Sequence, residues 1–542
     1  MNSEKNHFNK YLLLIFFTGA VVLSLELLAS RILTPFFGVS LYIWTSILSI
    51  TLIFLAIGYQ FGGWLTSKIK SELYEDIFIL IPFLSSFFIL ISSAIYPILF
   101  PYLIGLNLLV GSFIGSLVLL SVPLVLMSAL NPILISIIKS KNDESSDSKS
   151  GYVFFISTLG SVFGVIFTAL FIIPNLTNFN SFILNALFLI SINLLIYFLI
   201  GHSFFRKLKK KFIFLNILLF GILILILVNK ENYLSYFTKS TDLNDNKYLI
   251  LYEKPSFYGN LKVIGYKPKN SEAETHYILY QNGFTQNTVA KNGESLNTYI
   301  HVLNNLSMSS EIGNALVLGF GAGALPNYLE SKKYNVDVVE IDPLTLSIAT
   351  EYFNYKKKKS KIFFEDARTF VKKCKKKYDL IVIDLFFGDG VPEHLTTKEF
   401  YRDVKKCMVK DGILLNNTVV DLDKVETLDF VLSTFRSEFK NIYYFFDKEL
   451  VEKTGVKITN LYVLVTDKRK IKNLKIDYSQ IPQTLKRRVS STLKNMKKYE
   501  NEDYSRNVII DEMNNYSHLF AKSMSSFRKL ISTSIPSRIL IN

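Results

Sequence analysis

Ala315-Leu316-Val317-Leu318-Gly319-Phe320-Gly321-Ala322-Gly323 decides the fold of the C-terminal half. Four apolar residues of strand character run into three glycines at alternate positions, and an amphipathic helix is predicted over Ala324–Lys332. Glycines at such a junction let the chain turn sharply and let a ligand approach main-chain N–H groups at a helix N-terminus. The next predicted strand, Val336–Glu340, ends in Glu340-Ile341-Asp342. An acid there, about 20 residues past Gly319, is placed to accept hydrogen bonds from ribose hydroxyls. Strand, glycine loop, helix and acid in this order read as a nucleoside-binding unit.

The alternation continues downstream. Lys361–Phe364 leads into Glu365-Asp366-Ala367, an acid that can receive an adenine amino group, and Tyr378–Ile383 leads into Asp384. The segment that follows holds Asp389 and Pro392, then come helix Thr397–Val409 and strand Gly412–Val419. Ile442–Phe446 and Leu461–Thr466 can close the sheet. Such alternation predicts a doubly wound, mostly parallel, Rossmann-like α/β fold with ligands at the carboxyl ends of its strands. Glu340, Asp366, Asp384 and Asp389 all fall at or just beyond those ends. Upstream, Tyr248–Tyr252, Asn260–Tyr266 and His276–Gln281 predict a small antiparallel sheet, broken by Tyr258-Gly259-Asn260 and Asn282-Gly283 turns. Leu296–Leu306 is helical in period.

The N-terminal half has a different character. Of 542 residues 49% are apolar, and the 61 basic against 45 acidic residues give a net charge of +16. Repeated apolar runs of about 20 residues match the length needed to cross hydrocarbon. They predict an α-helical multi-pass bundle with seven spans: Tyr11–Leu33, Leu41–Trp64, Ile77–Leu99, Phe113–Ile138, Tyr152–Ile173, Ser181–Ile200 and Phe212–Val228. The first run is too long for a signal peptide and more spans follow it. Pro101–Ser112 reads as a re-entrant or interfacial piece, and Pro123 and Pro132 predict a kinked fourth span. Gly58, Gly62, Gly63, Gly160 and Gly164 are small residues that let membrane helices approach closely. Glu26 and Arg31, inside the first span, either pair with each other or with backbone, or mark a path through the bundle.

Lys and Arg follow spans two, four and six, which places the N-terminus in the cytoplasm. Seven spans then leave the C-terminal half on the far side, whereas a second pass hidden in Pro101–Ile138 would return it to the cytoplasm. The expected location is the cell (inner) membrane, with the side of the soluble half open. Two cysteines, Cys374 and Cys407, support neither a disulfide framework nor a zinc site, so no metal is expected. Composition thus excludes a secreted mini-domain, a zinc finger and a plain soluble enzyme. The expected divisions are a membrane domain (1–230), a linker (231–247), a small sheet (248–290), a nucleoside-binding catalytic domain (291–470) and a basic tail (471–542).

Several of these segments together resemble the spermidine synthase family of aminopropyltransferases. They are Ser256-Phe257-Tyr258-Gly259, Asn282-Gly283-Phe284-Thr285-Gln286, the glycine loop, Val339–Asp342, Glu365-Asp366-Ala367 and Tyr378–Phe400. The resemblance covers roughly Leu249 to Asp467. Glu26, Arg31, Pro35, Gly38, Trp44, Gly58, Tyr59, Gly62 and Gly63 look like the membrane-fused branch of the same family. The resemblance implies transfer of an aminopropyl group from decarboxylated S-adenosylmethionine to an amine such as putrescine, releasing methylthioadenosine. The adenosyl compound would be a co-substrate, with no permanently bound cofactor. By motif, Gly319, Gly321, Gly323, Glu340, Asp366, Ala367 and Pro392 would hold the nucleoside, with Glu340 on ribose and Asp366 on adenine. Asp384 would orient and deprotonate the amine, because an amine is nucleophilic only when neutral. Asp389, Tyr299, His301 and Gln286 would line the amine side. There the chain departs from the family: Ala322 stands where the glycine loop usually carries an acid, Gly259 replaces a glutamine, and the hydroxyls after Asp384 are missing.

A methyltransferase on the same fold would use the same Glu340 and Asp366, and a transporter or sensor could bind nucleoside or polyamine without turnover. A nicotinamide-dependent oxidoreductase fits less well, since its pattern has no acid at Asp366. The expected partners are an amine, an adenosyl donor and the lipid bilayer, with no nucleic acid, the lysine runs being solvated faces near anionic headgroups. Family members are typically oligomeric, which makes a homo-oligomer the expectation.

Overall fold

The computed structural model describes residues 2–38, 41–140, 146–200, 209–237, 242–243, 245–268, 275–356, 359–386, 390–455, 457–468, 476–501, 503–516, 528 and 534–541. The chain divides into two units. One comprises residues 1–241, 254–259 and 535–542, the other residues 242–253 and 260–534.

Uninterrupted apolar sequence makes the first unit helical, since only intrachain hydrogen bonds satisfy a backbone surrounded by apolar groups. Its helices are α1 (Asn2–Phe37), α2 (Leu41–Lys68), α3 (Tyr74–Leu103), α4 (Leu108–Ser140), α5 (Ser146–Phe167), α6 (Asn178–Ile200), α7 (Lys209–Val228) and α8 (Lys230–Phe237). Among the described residues seven helices are long and apolar enough to cross a membrane, the first Phe8–Phe37 and the last Lys210–Val228. The predicted re-entrant piece at Pro101–Ser112 is absent: Pro101 lies inside α3, a short turn follows, and Leu108 opens α4. Pro123 and Pro132 both lie within the continuous α4, so Pro101–Ile138 holds no extra pass. Helices of this kind tolerate proline because neighbouring groups re-satisfy the freed carbonyls.

Small residues set the helix contacts. A Cβ at Gly160 would stand 1.9 Å from the Phe16 carbonyl oxygen of α1, and one at Gly58 1.8 Å from Ser128 Oγ of α4. Gly63 faces open space. Within the same unit Arg31 donates to the carbonyls of Ser256 (3.0 Å) and Phe257 (3.3 Å), the backbone alternative predicted for it. Arg538, nearly buried, pairs with Glu231 at 2.7 Å.

The second unit begins with an antiparallel meander, β1 (Asp242–Leu243), β2 (Asn246–Ser256), β3 (Gly259–Pro268), β4 (His276–Gln281) and β5 (Phe284–Val289). Asn282 and Gly283 both have positive φ (50° and 85°), the two-residue hairpin turn their sequence predicts. After α9 (Thr298–Ser307) the chain alternates through β6 (Asn314–Leu318), α10 (Ala324–Ser331), β7 (Asn335–Glu340), α11 (Leu344–Tyr352), β8 (Lys361–Phe364), α12 (Ala367–Lys373) and β9 (Tyr378–Ile383). It continues with α13 (Lys398–Lys406), β10 (Met408–Asp421), α14 (Val425–Arg436), β11 (Asn441–Phe446), α15 (Lys448–Thr454), β12 (Ile458–Thr466), α16 (Lys486–Lys494) and β13 (Lys497–Lys498). The sheet order is β13-β11-β12-β10-β9-β6-β7-β8. Strands β8, β7, β6, β9 and β10 are parallel, while β12 runs antiparallel to both its neighbours.

Helices cover both faces of this sheet. Leu303, Leu329 and Val489 fill one core, and Val371, Phe400 and Phe435 the other. Residues 476–501 and 503–516, predicted as tail, are built into these layers: Ile481, Val489 and Leu493 enter the first core, Ile509 and Tyr516 the second. Val489 and Leu493, one helical turn apart, give the basic helix α16 an apolar edge that must be covered.

Candidate active site

The strand order reverses between β6 and β9, and at that point open α/β sheets bind ligands. Leu318 lies in register with Val339 of β7 and Ile383 of β9, which brings Gly319, Glu340 and Asp384 to one edge. The approach is close: a Cβ on Gly319 would stand 2.2 Å from the Asp384 carbonyl oxygen, and the residue has φ 95°. Only glycine fits there. The Glu340 carboxylate folds back on the glycine loop, accepting from Phe320 N (3.0 Å) and Asp342 N (2.8 Å). Burial raises its pKa, and those two N–H groups oppose the rise.

Asp366 caps α12, accepting from Thr369 N at 2.8 Å through Oδ1, while His394 Nε2 stands 3.3 Å from Oδ2. Burial works against ionisation here, yet the Thr369 N–H and His394 hold Asp366 below its ordinary value. Ala367 is buried in the core behind it. Pro392 opens the single turn Glu393–Leu395 that carries His394.

Asp384 is half-buried, and burial pushes its pKa up to about 6, against a bond from Asn417 that lowers it. Asn417 Nδ2 donates to Asp384 Oδ1 at 2.8 Å and its own carbonyl accepts from Asn460 Nδ2 at 2.8 Å. Tyr299 is half-buried near this carboxylate. Burial, then the Asp384 charge, raise its pKa well above the ordinary value, and its hydroxyl donates to the Gln286 carbonyl at 3.0 Å. The Gln286 side-chain nitrogen is buried with no hydrogen-bond partner among the described residues. His301 turns elsewhere: its Nε2 is 2.7 Å from the Ser295 carbonyl, and burial lowers its pKa. Ala322 is buried in an apolar cluster with Leu261, Val263 and Phe353. Asp389 lies outside the described residues.

The geometry therefore brings Gly319, Glu340, Asp384, Tyr299 and Gln286 to one end of the sheet, with Asp366 just past the end of β8 and Pro392 opening the turn whose His394 reaches it. Asn417 and His394 escaped sequence reasoning. The adjacent Asn416-Asn417 in an otherwise apolar strand was the available sign, because a buried carboxamide needs a partner.

Residues 297–448 match the spermine/spermidine synthase domain. Among curated proteins the chain is 34% identical over 136 residues to a polyamine aminopropyltransferase of Vibrio vulnificus, covering 24% of this chain and 44% of that protein. It is 33% identical over 161 residues to an N-terminal histidine N-methyltransferase of Emericella nidulans, covering 29% and 28%. The chain thus spans less than half the length of these curated relatives. Among solved structures, a probable spermidine synthase from Corynebacterium glutamicum aligns with 16% identity and a TM-score of 0.38, over 48% of this chain and 93% of that one.

Proposed function

We propose that the protein is a membrane-bound aminopropyltransferase that moves an aminopropyl group from decarboxylated S-adenosylmethionine to an amine such as putrescine. The observation that carries this reading is Asp384, a half-buried carboxylate at the end of β9 whose pKa burial raises to about 6. Such a group is basic enough to take a proton near neutral pH. Gly319, Gly321, Gly323, Glu340 and Asp366 hold the nucleoside, Glu340 through the ribose and Asp366 through the adenine amino group. Tyr299 and Gln286 flank the amine, and the buried Gln286 N–H is a donor that substrate can meet.

In the step itself the amine nitrogen attacks the aminopropyl carbon next to sulfur. The carbon–sulfur bond breaks, its electron pair stays on sulfur, and neutral methylthioadenosine leaves without an acid. Asp384 accepts the proton that the amine loses. Positioning supplies much of the remaining acceleration. The seven apolar helices support attachment to the cell membrane.

The test is mass spectrometry of full-length protein in detergent, incubated with putrescine and decarboxylated or ordinary S-adenosylmethionine. Methylthioadenosine and spermidine from the decarboxylated donor are expected. The similarity to a histidine N-methyltransferase supports a second reading, methyl transfer. S-adenosylhomocysteine from the ordinary donor would favour it.

A further inference from the structure

The turn after Pro392 is tied down by residues far beyond the matched segment. The His394 carbonyl accepts from Arg368 Nη1 at 2.9 Å, and the same guanidinium forks onto both oxygens of Asp511, with Nη1 2.9 Å from Oδ1. Asn514 Nδ2 donates to the Glu393 carbonyl at 2.7 Å. Asp511 N donates to Glu399 at 3.0 Å, and Lys398 N to the Ile509 carbonyl at 2.8 Å. Residues 509–516 thus run along the loop 393–399, bonded to it directly at Glu393, Lys398 and Glu399 and through Arg368 at His394. A planar fork on a carboxylate fixes orientation as well as distance.

A segment that only steadied the fold would need no relation to the site. Here the braced turn delivers an imidazole to the one oxygen of Asp366 that Thr369 N leaves free. The carboxylate is thus held at both oxygens, at Oδ1 by an N–H and at Oδ2 by His394. Its side chain remains one-third exposed and that of His394 half exposed, so the remaining lone pairs are open to a ligand.

We propose that His394 is a nucleoside-positioning residue, held by a brace of Arg368, Asp511 and Asn514, which fixes the plane of the Asp366 carboxylate for an adenine amino group. The inference rests on the nucleoside role of Asp366 stated above. Preorganisation of this kind lowers the cost of binding by removing freedom before the ligand arrives.

The test uses full-length protein in detergent and calorimetric titration with methylthioadenosine and with its hypoxanthine analogue, which lacks the amino group. His394→Ala and Asn514→Ala should each weaken methylthioadenosine binding by up to about tenfold, the scale of one lost hydrogen bond. Both should narrow the preference for adenine over hypoxanthine, with thermal unfolding unchanged, and His394→Gln, which keeps a donor, should restore part of it. An unaltered adenine preference in both alanine variants would overturn the proposal, as would losses that merely track a lowered unfolding temperature. Wild-type protein that binds no methylthioadenosine would instead remove the aminopropyl-transfer reading, and this inference with it.

Discussion

Asp384 and Asn417 meet across two neighbouring parallel strands through a single 2.8 Å hydrogen bond from carboxamide to carboxylate. Asn417 is itself held by Asn460 from the antiparallel strand beyond, so three strands fix one carboxylate. That carboxylate sits where burial makes its charge costly and the carboxamide makes the charge bearable.

The pH dependence follows directly. A base works only as the carboxylate, so kcat/KM should fall below pH about 6 as Asp384 takes up a proton. Asn417→Leu removes the bond that lowers this pKa, so the acid limb should move to higher pH and activity at neutral pH should drop. Asp384→Asn should lower kcat by about 10²–10⁴-fold. A pH–rate series on the three proteins checks all of this.

The same residue makes a prediction about stability. Its folded pKa lies above the ordinary 3.8, so it contributes stability that is fully present below pH about 4 and lost as pH rises through about 6. At pH 8 Asp384→Asn should therefore unfold at a temperature no lower than the wild type. Thermal unfolding in detergent at pH 5 and pH 8 would show a variant that gains at the higher pH.

Glu340 is held by two backbone N–H groups through its two oxygens. Glu340→Gln sets an NH2 group against one of those donors and leaves it unpaired, at a cost of about 1–3 kcal/mol. Methylthioadenosine affinity should fall about tenfold or more, read by calorimetric titration.

The glycines of the loop should differ sharply. Gly319→Ala forces a Cβ against the Asp384 carbonyl at φ 95°, and should cost roughly 2 kcal/mol or more as well as nucleoside binding. At Gly321 a Cβ meets nothing within 4 Å, so only the positive φ of 52° opposes alanine, a cost of about 1 kcal/mol. Unfolding temperatures of the two variants should rank accordingly.

In the helical unit, Gly160→Leu should push α1 from α5, because a Cβ there would overlap the Phe16 carbonyl. Gly63→Leu meets open space and should be tolerated. Detergent-solubilised yield and unfolding temperature would separate them, and equal behaviour would refute the close-approach account.

Periodicity and punctuation made most of the architecture legible. The apolar runs announced seven long helices, and strand, glycine loop, helix and acid announced the α/β sheet with Glu340, Asp366 and Asp384 at its strand ends. Where reading failed, local chemistry had competing outcomes. Pro101–Ser112 reads as a re-entrant or interfacial piece, whereas a helix among apolar neighbours absorbs Pro101. Basic residues of 476–501 hid an apolar edge too short to stand out, and β13 pairs only because β11 offers it an edge.

Sequence by itself determined where Glu340, Asp366 and Asp384 fall in the fold, because strand ends and glycine turns are local properties that spacing reveals. Tertiary structure alone decided the company those residues keep. Asn417 reaches Asp384 across 33 positions, and Asp511 reaches Arg368 across 143. The pKa of Asp384, the partners of Asp366 and the turn of His301 toward Ser295 depend on which buried groups lie within about 3 Å, a distance that only the folded chain sets.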